Sequence, residues 1–229
     1  MNLKLSFKVN ESIYIRDPES SELGKQIVKK SIELIYKLGY EHFTFKKLMV
    51  EVGTTEASIY RYFENKHKIL LYIINWYWNY ISYKIIFGLQ NKTENIEKLN
   101  TIVDIICHRD NFQFGIDYDI IMLNQIAIQE SNKSYFIIDV DKKNESESYS
   151  SYKDLCNIIA DIIIETRPDY KFPHSLSSTI IEMAHLQDFF IKHLPRLTDI
   201  KSIQNENYIQ EFIKNLLSGC LSINFSPKN

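Results

Sequence analysis

The sequence predicts an all-α fold. Only six glycines and five prolines interrupt 229 residues, which leaves few of the turns that a strand-rich fold needs. Apolar residues recur at helical spacing along most of the chain, and strand-like alternation occurs only at its start. Apolar residues make up 45% of the sequence and charged residues 24%, which is typical of a globular protein. These features together favour long helices.

The N-terminal arm, residues 1–21, has the alternation of a strand. Leu3, Leu5, Phe7 and Val9 fall on one side of an extended chain, with Lys4, Ser6 and Lys8 on the other. Asn10-Glu11 is suited to a turn that leads back into residues 12–15. The pattern therefore predicts a short β-hairpin in this arm.

Three short helices with tight joints are predicted over residues 22–66. The first ends at Gly39, because glycine readily adopts a positive φ. Thr44 is placed to cap the second helix, which Gly53 ends, and Thr55 is placed to cap the third. From residue 67 to 229 amphipathic helices alternate with polar loops, which predicts a second, larger helical domain.

Charge and motif content exclude several classes of function. Residues 1–70 carry 12 Lys and Arg against 9 Asp and Glu, whereas the remainder carries 15 against 20, so the basic end suits a polyanion. No apolar run reaches the roughly 18 residues of a membrane span, and no signal peptide is apparent. We therefore expect a cytoplasmic protein that does not enter a membrane. The three cysteines lack metal-ligand spacing, and neither a Ser-His-Asp order nor a phosphate loop occurs, so we expect no metal, no cofactor and no enzymatic activity.

The second and third helices form a helix-turn-helix, in which the second of the two helices enters the DNA major groove. Small or polar side chains at its start can reach base edges: Thr54, Thr55, Glu56, Ala57 and Ser58. Ile59 and Phe63 lie four residues apart and face inward. The side chains predicted to contact phosphates are Tyr60, Arg61, Tyr62, Lys66 and, on the preceding helix, Lys46. On spacing alone, a plain helical corner with an aromatic core stripe is the stronger alternative.

Residues 25–75 resemble the DNA-binding domain of the TetR (tetracycline-repressor-like) family of bacterial regulators. The resemblance is carried without gaps by YKLGYEHFTFKKLMVEVGTTEASIYRYFENKHKILLYII. It implies DNA contacts at Thr44, Thr55, Glu56, Ser58, Tyr60, Tyr62 and Lys66. Thr54 stands where the family commonly has Val, and it keeps the shape of that side chain while adding a hydroxyl. Met49 stands where the family has a small Ala, so the angle between the two helices can differ from that of the family.

The resemblance also implies a homodimer, most simply a repressor, that a small-molecule effector releases from a near-palindromic operator in double-stranded DNA. Aromatic residues of the body are candidates for the effector pocket: Trp76, Phe112, Phe114 and Tyr118. Apolar residues of the last two helices are candidates for the dimer interface: Leu186, Phe189, Phe190, Phe212 and Leu216. Four alternatives remain open: an activator, a regulator without a ligand, a monomer with one large core, and a helical scaffold or enzyme with a vestigial DNA-binding head.

Overall fold

A computed structural model describes residues 5–108, 115–131, 133, 141, 148–200 and 207–225. Over these residues the chain is helical and contains no strand, which confirms the all-α prediction. Three short 3₁₀ turns lie at Glu11–Ile13, Pro18–Ser20 and Pro195–Leu197. The α-helices are α1 (Glu22–Leu38), α2 (Phe45–Val52), α3 (Glu56–Tyr60), α4 (Lys66–Leu89), α5 (Asn95–Ile106), α6 (Ile120–Glu130), α7 (Ser150–Thr166), α8 (Pro173–His193) and α9 (Tyr208–Leu221).

The predicted hairpin in the N-terminal arm is wrong for the described residues 5–15. The Asn10 side chain accepts the N–H of Ser12 at 2.8 Å and starts the 3₁₀ turn in place of a β-turn. Upstream, the Leu5 N–H bonds to the Gly115 carbonyl at 2.9 Å. Val9 is nonetheless buried, and the Phe7 ring packs edge-on to Trp76 at 5.1 Å between centroids, so the apolar side of the arm contacts α4 without a partner strand.

Capping residues set the bounds of α1. Ser21 Oγ accepts the N–H of Gly24 at 3.1 Å at the start of the helix. Gly39 follows its last turn with φ +77°, and its N–H bonds to the Ile35 carbonyl at 2.8 Å. One face of the helix is buried and includes Ile27, Val28 and Ile32. The predicted helical period and the predicted end at Gly39 are confirmed.

Helix α4 is enclosed by protein on every side through its first half. All ten residues from 69 to 78 are buried, although they cover nearly three full turns. A helix that is apolar around its whole circumference belongs in a core, not at a surface. Asn75 is the polar member of this run, and its amide donates to the carbonyls of Leu71 at 2.8 Å and Ser148 at 2.9 Å.

The chain divides into two compact units. The first takes in the described residues up to 80 and those between 115 and 152, and therefore holds the arm, α1 to α3, most of α4 and α6. The second takes in the described residues of 81–108 and 153–225. Within this second unit, Lys98 pairs with Glu165 at 2.6 Å and Gln210 donates to Asp104 at 2.7 Å. The boundaries drawn from sequence, 1–21, 22–66 and 67–229, remain predictions.

Candidate nucleic-acid interface

The joint between α2 and α3 depends on Gly53. This residue has φ +71° and ψ +40°, the left-handed conformation that ends many helices. Its N–H bonds to the carbonyl of Met49 at 3.0 Å, and the N–H of Thr54 bonds to the same carbonyl at 3.0 Å. The Met49 carbonyl near the end of α2 thus accepts two backbone N–H groups, and only residues 53–55 separate α2 from α3.

Threonines begin both helices of the motif. Thr44 Oγ1 accepts the N–H of Lys47, and Thr55 Oγ1 accepts the N–H of Ser58, each at 3.2 Å. Thr55 Oγ1 also lies 3.0 Å from Ser58 Oγ, so the two hydroxyls share a hydrogen bond. The caps predicted from sequence are therefore present. The hydroxyls of Thr55 and Ser58 therefore lie together at the N-terminal end of α3.

The inner face of α3 is anchored as the sequence predicts. Ile59 of α3 and Phe63, just past the end of that helix, are both fully buried, and Phe45 of α2 is buried in the same unit. Tyr60 lies at the edge, 49% exposed, with its ring packed edge-on to Phe45 at 4.9 Å between centroids. Its position is therefore fixed on one side while its hydroxyl end stays near solvent.

Most of the residues predicted to contact DNA lie at the surface of this motif. Thr44, Lys46, Thr55, Ala57, Tyr60 and Arg61 are exposed, and Thr54, Glu56, Ser58 and Lys66 are partly exposed. Their assignment to bases or phosphates remains a prediction, since no nucleic acid is present. Those at the start of α3 are exposed or partly exposed on a short helix, which is the geometry that base contacts require, while Thr44 and Lys46 lie at the start of α2 and Lys66 at the start of α4.

Tyr62 does not lie with the others, and its predicted phosphate contact needs correction. Helix α3 ends at Tyr60, and the chain turns so that Tyr62 is only 3% exposed. Its hydroxyl lies 2.7 Å from Ser21 Oγ at the start of α1, and Arg16 covers its ring at 5.4 Å. Tyr62 therefore connects the end of α3 to the start of α1 through a buried side chain, and its hydroxyl is hydrogen-bonded to Ser21.

Lys66 is held in place by the loop between α1 and α2. Its ammonium donates to the carbonyls of Tyr40 at 3.2 Å and Glu41 at 3.3 Å, and lies 4.5 Å from the centre of the Tyr40 ring. The group stays partly exposed at the N-terminus of α4. An ammonium has three N–H donors, so these two bonds leave one for a phosphate.

Sequence reasoning missed Lys37 and Lys47, which lie with Thr44 and Lys46 in the lining of a cleft beside α2. The cleft has a volume of about 560 Å³, and the rest of its lining is apolar apart from Glu51. Lys47 Nζ donates to the His42 carbonyl at 2.9 Å, which holds its charge close to the start of α2. The only sequence signal for Lys37 was its position in the last turn of α1.

The predicted effector residues have mixed placements. Trp76 and Tyr118 are buried, with their rings edge-to-face at 5.0 Å, and Tyr118 donates its hydroxyl to Glu19. Burial, together with the nearby Glu19 carboxylate, raises the pKa of Tyr118 far above its usual range, so its hydroxyl stays a donor. Phe112 and Phe114 lie outside the described residues. The two described aromatics thus pack against each other, and a pocket role for them stays a prediction.

The predicted dimer residues lie on α8 and α9 of the second unit. Leu186 is 51% exposed and Phe212 is 37% exposed, while Phe189, Phe190 and Leu216 are partly exposed. Ile180, Ile213 and Leu217 on the same helices are buried, so each helix has an inner face as well as an uncovered apolar one. Among the residues that the structure describes, no cluster of His, Cys, Asp and Glu suits a metal ion, and no helix is long and apolar enough to cross a membrane.

The helix-turn-helix segment matches a family of known regulators. Residues 27–73 fit the family model described as bacterial regulatory proteins, tetR family. The nucleoid occlusion factor SlmA of Haemophilus influenzae is 28% identical over 86 residues, which is 37% of this chain and 39% of SlmA. The chain thus aligns with less than half the length of this curated relative.

Solved structures extend the likeness to most of the fold. The fatty acid degradation regulator FadR from Bacillus halodurans is 19% identical with a TM-score of 0.57, covering 86% of this chain and 96% of FadR. AibR, in complex with isovaleryl coenzyme A and operator DNA, is 12% identical with a TM-score of 0.56, covering 87% of this chain and 98% of AibR. At these identities the likeness establishes a shared fold.

Proposed function

We propose that the chain is a sequence-specific, DNA-binding transcriptional regulator, because residues 27–73 match the family model described as bacterial regulatory proteins, tetR family. Its activity would be binding, not catalysis, and its site of action the DNA of the cytoplasm. The observation that carries the proposal is the α2–Gly53–α3 joint. It presents an exposed polar helix end over the buried Ile59 and Phe63.

The exposed residues of the motif divide into two groups with different tasks. Thr54, Thr55, Glu56, Ala57 and Ser58 lie at the start of α3, where side chains of a recognition helix reach base edges. Tyr60, Arg61, Lys66, Thr44 and Lys46 surround them with hydroxyl and cationic groups suited to phosphates. Tyr62 is left out of the second group because its hydroxyl is bonded to Ser21.

A homodimer would place two such motifs on one operator. The uncovered apolar residues on α8 and α9 support this arrangement, because exposed apolar patches on a globular protein commonly mark an interface. Two-fold symmetry requires a near-palindromic site, with half-sites about one DNA turn apart, roughly 34–36 Å. Buried faces on the same two helices give the interface a rigid base.

We infer that the regulator is a repressor released by a small molecule. AibR has been solved with both an acyl-coenzyme A and its operator, and FadR is a regulator of fatty acid degradation, so this fold accommodates both kinds of partner. An effector that prefers the arrangement unable to bind DNA weakens DNA binding by linkage. The identity of the effector is left to experiment.

Selection of bound fragments from genomic DNA tests the proposal. The purified protein should enrich a single inverted repeat, bound as a dimer, with an affinity that falls steeply as salt rises. Ser58→Ala should change which bases are preferred, by about 1–3 kcal/mol per lost contact. Ser178→Ala is the matched control, since Ser178 is also partly exposed on a helix but lies in the second unit. Weak binding without any preferred sequence would refute the proposed function.

A further inference from the structure

The last residue of α6 is a buried carboxylate that bonds to the α1–α2 loop. Glu130 is 6% exposed, and its Oε1 accepts the backbone N–H of Tyr40 at 3.0 Å. Its Oε2 lies 2.8 Å from the ammonium of Lys133. The contact joins residues 90 positions apart in sequence, within the first compact unit.

A carboxylate is an unfavourable choice for this position on general grounds. The C-terminal end of a helix carries partial negative charge, which repels an anion. Burial adds a desolvation cost that an ion pair only partly offsets, and an apolar residue of similar size commonly does as well or better for stability. Stability alone therefore does not account for Glu130. What a carboxylate provides, and an apolar residue does not, is a directed bond to the Tyr40 N–H.

The same loop holds Lys66 from its other side. The Tyr40 N–H bonds to Glu130, while the carbonyls of Tyr40 and Glu41 accept bonds from the Lys66 ammonium. Tyr40 also lies with its ring beneath that ammonium, at 4.5 Å. Any displacement of the loop therefore moves the acceptors that orient Lys66.

Lys133 ties the loop to Glu130 by a second route. Its ammonium lies 3.1 Å from the Glu41 carboxylate and 2.8 Å from that of Glu130, so it bridges the loop and the end of α6. The Glu130 carboxylate raises the pKa of Lys133, and Lys133 lowers the pKa of Glu41, so Lys133 stays cationic and Glu41 stays anionic. Most of the Glu41 side chain is exposed, so this arm of the bridge is weaker than the bond to Tyr40.

We propose that Glu130 is a positioning residue for DNA binding: through the backbone of Tyr40 and Glu41 it fixes the ammonium of Lys66 where it meets a phosphate. The proposal rests on the proposed function for the phosphate contact itself. The link from Glu130 to Lys66 is a property of the protein without DNA and is tested separately.

The first test measures the reactivity of lysine amines without DNA. Glu130→Met keeps similar bulk but removes the acceptor, and Lys133 retains Glu41 as a partner. Acylation read by peptide mass spectrometry should rise several-fold at Lys66 and stay unchanged at the exposed Lys46. Glu130→Gln, which still accepts the Tyr40 N–H, should restore slow labelling. Equal labelling of Lys66 in the Met variant and the native protein overturns the proposal, as does an equal rise at Lys46.

The second test measures DNA affinity across a salt series. One phosphate contact contributes a slope of about 0.9, which corresponds to about a fivefold loss of affinity at 0.15 M salt when that contact disappears. Glu130→Met and Lys66→Ala should each show this loss, and the double variant should lose no more than Lys66→Ala alone. Gln129→Ala, exposed on the same helix, is the control and should match the native protein.

The outcomes separate the two proposals. Additive losses in the double variant mean that Glu130 acts by another route, and the inference is then wrong while the regulator remains. A native protein that selects no DNA sequence refutes the proposed function, and the labelling result then decides whether Glu130 holds Lys66.

Discussion

Replacing Gly53 by alanine isolates the conformational requirement of the α2–α3 joint. A Cβ added at Gly53 meets no heavy atom within 4 Å, so the substitution introduces no clash. The left-handed conformation costs an L-residue about 1–2 kcal/mol. The lower entropy of the unfolded alanine chain offsets about 0.4–1 kcal/mol of that. We therefore expect Gly53→Ala to lower the free energy of unfolding by about 1 kcal/mol.

Tryptophan fluorescence during urea unfolding is the suitable assay. Both tryptophans of the protein, Trp76 and Trp78, are buried in the unit that contains the joint, so their emission reports its unfolding. With a slope of about 1–3 kcal/mol/M, the midpoint should fall by about 0.3–1 M at constant slope. Gly53→Asn is the control, because asparagine tolerates the left-handed region, and it should lose less. An alanine variant as stable as the native protein, or less affected than the asparagine variant, would refute this account of the joint.

Further predictions concern two glycines and a buried histidine. Gly24→Ala should destabilise the first unit much more than Gly53→Ala does, because its Cβ would lie 2.3 Å from the Pro18 carbonyl oxygen. Tryptophan fluorescence should show a far lower urea midpoint for Gly24→Ala, and equal midpoints for the two variants would contradict this packing. Gly219 lies in the last turn of α9 with open space around an added Cβ, so Gly219→Ala should raise the free energy of unfolding by up to about 0.5–1 kcal/mol. A higher thermal midpoint, followed by circular dichroism, would show this gain. Burial lowers the pKa of His185 to about 3, below the ordinary 6.5, so the unfolded state binds the proton more readily. His185 therefore leaves the free energy of unfolding unchanged above pH 6.5 and lowers it as the pH falls from there toward 3, by at most about 1.4 kcal/mol per pH unit. His185→Gln should flatten this part of the plot of unfolding free energy against pH.

The parts of the fold that follow local rules were predictable from sequence. Thr44 and Thr55 cap the helices that they were expected to cap, and Gly39 and Gly53 end helices with a positive φ. These caps join residues within four positions of each other along the chain, so a short stretch of sequence contains both partners of each hydrogen bond. The burial of Ile59 follows from the helical period of α3.

Features that depend on the path of the chain outside a helix were not predictable. Tyr62 lies beyond the end of α3, where helical periodicity no longer says which way a side chain points, and its partner Ser21 is 41 residues away. The alternation in the N-terminal arm indicates its apolar side, but it does not reveal that the Asn10 cap forms a 3₁₀ turn where a hairpin needs a β-turn. Nothing local in the sequence reveals that Glu130 bonds to Tyr40, which lies 90 residues away.

The enclosure of the first half of α4 has a consequence for how this sequence can vary over time. A helix with one solvent face accepts polar exchange at half of its positions or more, whereas residues 69–78 offer no such position. In a saturation library screened for folded protein, this ten-residue run should be the least tolerant segment of the described chain. Exposed stretches such as 195–197 should accept nearly any residue, with Pro195 as the exception. Among descendants of this gene, the run should therefore remain recognisable after the loops around it have lost all resemblance.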